Sequence, residues 1–382
     1  MSSNDRNVYL VGGGLHPFGR YPDKSIEEIG RVAIQQALDD SGVPFEDIEV
    51  AYCGHVYQGM GAGLRVVSQF GETGIPIVNV ELACASSSTA LRQAYWAIAN
   101  GLFDVALVAG FEKMTRGLLN IVPVGSYDYK MGLSVLPSAY ALNAKAYMAK
   151  YEASADAFAY VSVKSHKLGA LNPNAQYQKP VTIEEVKASR MISDPLTLLQ
   201  CSPTSDGASA VILCSEKAAR RYSTPDKWVR VAGWAAGTQK YVANTAASAV
   251  DELAEGTVSR LAHEAYTRAG VGPSDVGVTQ VHDAFTPGEV LTIEELEYCK
   301  PGEGADLVLR GETDINGRFP VNTDGGLISR GHPVGATGAA QAIELMRQLR
   351  GEAGARQVPN RPKIGLQQNA GVGGVVVMVY EK

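Results

Sequence analysis

The chain carries little with which to grip nucleic acid, cross a membrane or staple itself together. Its five cysteines, at 53, 84, 201, 214 and 299, form no CxxC pair, which argues against a zinc ribbon and against a disulfide framework. Lys and Arg number 34 against 40 Asp and Glu, a net charge of −6 with no basic run or arm, so no nucleic-acid partner is expected. No apolar stretch approaches the roughly 20 residues of a membrane helix. The polar start, MSSNDRNVYLVGGG, does not read as a signal peptide, so the expectation is a cytoplasmic protein. The six histidines are isolated, without i,i+4 or CxxC companions, which gives no metal site by spacing. No GxxxxGK[ST] or GxGxxG loop occurs, and the GGG at 12–14 reads as a turn.

What is present describes a large α/β protein. At 382 residues the chain exceeds the usual single domain, and 45% hydrophobic residues can build a sizeable core. Short β-rich runs at 7–11, 50–52, 77–80 and 105–109 alternate with helical periodicity at 25–40 and 86–99, the pattern of a sheet covered by helices. Residues 33–54 line up without gaps against 262–282 at an offset of 228, pairing Ala37 with Ala265, Gly42 with Gly270 and Asp47 with Asp275. Residues 86–101 match 336–351 in the same order. Two helix–turn–strand units recurring in register imply a duplicated fold of two similar halves. The stretch 115–200 has another character, with Tyr127, Tyr129, Met131, Tyr140, Tyr147 and Met148, and reads as an insertion that shapes a binding site. The expected division is 1–114 for the first part of the N-terminal half, 115–200 for an inserted loop domain, 201–225 for a closing strand of the first half, and 226–382 for the second half.

Four segments carry chemistry. Cys84, in NVELACASSSTALRQ, sits where a strand turns into a helix; N-terminal helix N–H groups there favour a thiolate. His332, in GGLISRGHPVGATGAAQ, precedes the helix that repeats the one after Cys84, so duplication would bring both helix starts to the centre. His282, in VTQVHDAFTPGEV, follows a strand at the position matching Gly54, where ligands of α/β folds gather. GLQQNAGVGGVVVMVYE supplies glycines whose N–H groups can approach a ligand, followed by a buried strand.

Together with SDGASAVILC at 205–214, these segments resemble the thiolase superfamily over nearly the whole chain. The GHPVGATG stretch is the most specific match, and the His-Asp step at 282–283 is similar to the sterol-carrier-protein-like and archaeal-type members. The resemblance implies a duplicated thiolase fold of five layers, α-β-α-β-α. It also implies a mechanism without a tightly bound cofactor, with coenzyme A as substrate. Cys84 would be the nucleophile acylated as a thioester; His332 would take its proton and help hold an oxyanion. His282 would line one oxyanion hole, and the N–H groups of Cys84 and Gly371 a second, with Asn369 and Asp283 as supporting residues. Many family members use a second cysteine to move the α-proton of acetyl-CoA; the corresponding positions here are Asn369 and Ala284, neither of which exchanges a proton near neutral pH.

The leading expectation is therefore cleavage or formation of a 3-oxoacyl-CoA, the acyl group being acetoacetyl, branched or steroid side-chain, or aromatic such as benzoylsuccinyl. Alternatives on the same fold are a decarboxylating condensing enzyme or acyltransferase, a retro-aldolase that would not need Cys84, and a non-catalytic acyl-CoA-binding subunit. The resemblance further implies at least a homodimer through sheet edges, and a small partner subunit carrying an OB-fold and a zinc ribbon.

Overall fold

The computed structural model describes residues 6–72, 74–117, 125–131, 135–239 and 256–382. Parts of the expected insertion (118–124 and 132–134) and of the second half (240–255) lie outside the described residues.

Helix Ile26–Ser41 shows how local sequence sets an element. Ser25 caps it, its hydroxyl accepting the Glu28 N–H while the Glu28 side chain accepts the Ser25 N–H, and Gly42 closes it at φ +69°. Glycines 12–14 do not form the expected turn. Strand β1 (Val8–Gly19) runs straight through them, because a Cβ at Gly14 would lie 2.2 Å from the Ala33 carbonyl of that helix. The triplet is there for close helix–strand approach.

The other strands are β2 (Val50–Gly54), β3 (Ile77–Val80), β4 (Val105–Glu112), a small hairpin β5 (Met191–Ser193) with β6 (Leu196–Thr197), β7 (Asp206–Ser215), β8 (Val229–Thr238), β9 (Val278–Gln280), β10 (Ile364–Gly371) and β11 (Gly374–Glu381). Nine of them form the order β3-β2-β4-β7-β1-β8-β11-β10-β9. Its centre is thin, since β1 and β8 pair at only two positions, Tyr9 with Arg230 and Leu10 with Val229. On one side β3, β2 and β4 are parallel and β7 and β1 antiparallel. On the other, β9 and β10 are parallel and β11 and β8 antiparallel. The halves repeat, and the counterpart of β3 is a single parallel bridge between Thr279 and Val321.

Strand alternation sorts the core into layers. From β7, Ala208, Ala210 and Ile212 join the Ile26–Ser41 helix in one outer cluster, while Val211 and Leu213 face the middle. From β11, Val376 and Met378 face the same middle, and Val375, Val377 and Val379 pack outward with helix Thr257–Ala269. The middle holds helices Ser86–Ala99 and Thr337–Arg350. The result is helix, sheet, helix pair, sheet, helix: five layers.

Residues 136–169 supply two helices, Leu136–Tyr151 and Asp156–Gly169. They pack on the second half through Phe158 and Val161 and through a fully buried ion pair between Lys164 and Glu289. Among the described residues, no helix is long and apolar enough to cross a membrane.

Candidate active site

The two middle helices begin against each other. A Cβ on Gly338 would lie 2.0 Å from Ser88 Oγ, and the Ala339 N–H donates to Ser87 Oγ at 3.0 Å. Neither helix start is capped by the side chain of its own N-cap residue, Ala85 or Ala336.

Cys84 stands two residues before its helix, after a turn in which Ala83 takes a left-handed φ of +46°. Such a conformation costs about 1–3 kcal/mol and needs support. Ser86 Oγ supplies it, donating to the Ala83 carbonyl (2.6 Å) and accepting the Leu82 N–H (3.0 Å). Gly371 closes the other side: a Cβ there would sit 2.0 Å from the Leu82 carbonyl oxygen, so only glycine lets the β10 end reach this turn.

His332 follows Gly331 in the short link between helices Gly326–Arg330 and Thr337–Arg350. Its backbone N–H donates to Ser205 Oγ at 2.9 Å. Its Nδ1 is 2.7 Å from Thr337 Oγ1, whose own hydroxyl donates to the Pro333 carbonyl at 3.1 Å. The Thr337 proton is thus used, Nδ1 carries the imidazole hydrogen, and Nε2 is left as a buried lone pair without a partner among the described residues. His282 comes two residues after β9, held by its N–H on Gln368 Oε1 at 2.9 Å. The imidazoles of His282 and His332 meet edge to face, 5.2 Å between centroids. Cys84 Sγ and one nitrogen of each imidazole lie within 4.8 Å of one another. Spacing along the chain gave no metal site, yet folding gathers three ligand-type atoms of a kind that suits a soft divalent ion.

Electrostatics fixes the resting protonation. Burial, with Glu112 and Glu81 nearby, pushes the Cys84 thiol up to about 12, so the helix starts do not by themselves produce the expected thiolate. Burial pushes His282 down to about 4, and burial with His282 and Arg330 holds His332 well below its usual value. The site rests as a thiol beside two neutral imidazoles, and the thiol needs a base to react.

The supporting residues fare differently. Asp283 turns from the cavity and accepts the Leu327 N–H at 2.8 Å; burial and Glu289 raise it to about 7. Asn369 also faces away, donating to Gln341 Oε1 at 3.0 Å, while Ala370 and Gly371 line the cavity.

The cavity, about 480 Å³, opens from Cys84, His282 and His332. The insertion provides Leu136, Pro137, Tyr140 and Ile192 of its wall, whereas Tyr127, Tyr129 and Met131 are exposed and Tyr147 is bonded to Glu294. Sequence reading missed several residues. Arg20, Arg116 and Arg190 line the cavity, and only their position in space sets them apart. Glu112, buried at the end of β4, accepts the N–H groups of Val56 (2.9 Å), Tyr57 (3.0 Å) and Gly335 (3.1 Å), tying the loop after β2 to the His332 link. An acid closing the apolar strand VALVAGFE was its one visible signal.

Fold and site define a duplicated five-layer α/β protein with a cysteine and two histidines where its halves join. The chain belongs to the thiolase family: residues 8–217 match the thiolase N-terminal domain and 240–380 the thiolase C-terminal domain-like model. It is 38% identical to sterol carrier protein 2 of Homo sapiens, over 99% of this chain and 72% of that protein. It is 37% identical to the acetyl-CoA acetyltransferase of Methanothermobacter thermautotrophicus, over 98% of this chain and 99% of that one. Among solved structures it is similar to the Ltp2-ChsH2(DUF35) aldolase, with a TM-score of 0.85, 25% identity, and coverage of 98% and 97%.

Proposed function

We propose that this protein is a CoA-dependent acyltransferase that cleaves or forms 3-oxoacyl-CoA through an acyl-Cys84 thioester. The observation that carries the reading is the unpartnered Nε2 of His332 in one cluster with the Cys84 thiol. His332 Nε2 takes the thiol proton as Cys84 Sγ attacks C3 of the substrate. The oxyanion is held at one stage by His282 and at the other by the N–H groups of Cys84 and Gly371. Each donor removed would cost about 3–4 kcal/mol of transition-state stabilisation. Breaking C2–C3 leaves the acyl group on Cys84, and CoA thiol then removes it, with His332 again carrying the proton.

The cavity supports an acyl part larger than acetyl, since its wall includes Leu136, Pro137, Ile192, Leu198, Phe285 and Val372. Arg116 and Arg190 are exposed at that wall and suit the phosphates of CoA. Strand β3 ends the sheet with Val78 39% exposed, an unpaired edge that suits a second copy of the chain. The pairing of Ltp2 with ChsH2(DUF35) in the aldolase supports a partner subunit for this chain as well.

The test is CoA-dependent cleavage of 3-oxoacyl-CoAs of increasing chain length, wild type beside Cys84→Ala. The reading expects cleavage by wild type and loss of about 10³-fold or more in the variant. The likeness to an aldolase supports a second reading, retro-aldol cleavage of a 3-hydroxyacyl-CoA; turnover of that substrate surviving in Cys84→Ala would favour it.

A further inference from the structure

Cleavage between C2 and C3 releases a carbanion at C2 of the departing thioester, and some group must give it a proton. The positions from which the chain might have supplied a thiol are empty of one: Ala284 has no ionisable group, and Asn369 is turned onto Gln341. Cys201 lines the cavity, but its thiol donates to the Thr197 carbonyl at 3.3 Å. Building on the acyl-transfer reading above, we propose that the Tyr140 hydroxyl is a catalytic residue, the proton donor to C2.

The first support is position. Tyr140 rises from the Leu136–Tyr151 helix into the cavity that holds Cys84, His282 and His332. Its ring packs on Phe285 with centroids 4.7 Å apart. It shares one small cluster with Ala284, Phe285 and Cys201. The second is availability. Among the described residues no hydrogen bond to the Tyr140 hydroxyl occurs, although the residue is half-buried. Cys84 is near enough to act on the ionisation of this phenol. A phenol that lines the cavity with Cys84 and has no hydrogen-bond partner among the described residues is placed for a substrate atom.

Burial, with Cys84 and Asp283 nearby, raises this phenol above its usual 10, so it stays protonated through neutral pH and acts as a donor. In cleavage, the Cys84 thiol proton passes to His332 and Sγ bonds to C3. C2–C3 breaks, the electron pair goes to C2, and C2 takes the Tyr140 proton. The phenolate regains a proton from the His332 imidazolium, directly or through a water. Both groups end neutral, and the proton that left Cys84 is balanced by the one on C2. Condensation runs the same steps in reverse.

Tyr140→Phe keeps the ring and its packing on Phe285 and removes only the hydroxyl. Two reactions separate its role from that of Cys84. Exchange of labelled CoA into acetyl-CoA and octanoyl-CoA needs acyl transfer to Cys84 but moves no carbon-bound proton. Thiolysis of acetoacetyl-CoA and 3-oxodecanoyl-CoA, and wash-in of deuterium from D2O into the acetyl-CoA methyl group, both need one. The variant should keep exchange within about twofold of wild type and lose thiolysis and wash-in by about 10²-fold or more. Thiolysis and wash-in near the wild-type rate would overturn the proposal, and so would an equal loss of exchange, which would make the hydroxyl a determinant of pocket shape. Absence of both exchange and thiolysis in wild type would instead strike the acyl-transfer reading itself.

Discussion

Helices Ile26–Ser41 and Thr257–Ala269 end on the same device, Gly42 at φ +69° and Gly270 at φ +71°, and each passes through one 3-10 turn (Phe45–Asp47, Pro273–Asp275) into a strand, β2 or β9. Beyond that frame the halves part. The N-terminal half completes a third parallel strand, β3, and sets Cys84 on the strained turn after it. The C-terminal half reduces that strand to the Thr279–Val321 bridge and fills the space with buried polar groups: Arg330 paired with Asp324, Arg356 with Glu344, and Gln341 and Gln367 on backbone carbonyls. One half places Cys84 at the join; the other places His332, held by Thr337 and by Ser205 of the first half. Duplication provides the join, and divergence provides the chemistry.

Several substitutions would break or sharpen that contrast. The largest effect belongs to the pair at the join. Cys84→Ala should cost about 10³-fold or more in turnover and His332→Ala about 10²–10⁴-fold, with the double variant no worse than Cys84→Ala, because the two act as one unit. Additive losses in kcat/KM would show that the halves act independently. Next, Gly338→Ala forces a Cβ to within 2.5 Å of the Ser88 backbone nitrogen and should cost about 1–3 kcal/mol in urea unfolding. An unchanged midpoint would mean that the two helix starts are not held in contact.

The third test concerns pH, and it isolates the polar half. His282, lowered to about 4, leaves the native state with fewer protons than the unfolded chain between about pH 4 and 6.5, so it weakens the fold on acidification. Asp283, raised to about 7, does the opposite between about pH 4 and 7. In wild type the two slopes oppose each other. His282→Gln should make stability rise, relative to wild type, by about 1.4 kcal/mol per pH unit as pH falls from 6.5 toward 4, and Asp283→Asn should make it fall by a similar amount. Urea midpoints of both variants running parallel to wild type across that window would contradict the assigned protonation states.

Much of this was legible in the sequence because it rests on local signals. Ser25 and Gly42 bound a helix, strand and helix periods alternate, and the match of 86–101 with 336–351 places Cys84 and His332 at equivalent helix starts. What was not legible depends on side-chain direction and distance. Asn369 was expected beside the site, but strand alternation puts it with Gln367 on the face toward Gln341, and the cavity receives Ala370 and Gly371 instead. The thiolate favoured by a helix start gave way to burial, a quantity that a short motif does not contain. Tyr140 belongs to the insertion expected to shape a binding site and does line the cavity, whereas Arg20, Arg116 and Arg190 come from segments without periodicity or motif, and only folding sets them around it.

The most direct measurement is intact-protein mass spectrometry after incubation with 3-oxoacyl-CoAs, before and after addition of free CoA. The account predicts a mass increase equal to the shortened acyl group, absent in Cys84→Ala and discharged by CoA. Cleavage of the substrate with no adduct on Cys84, and equal turnover in Cys84→Ala, would contradict it.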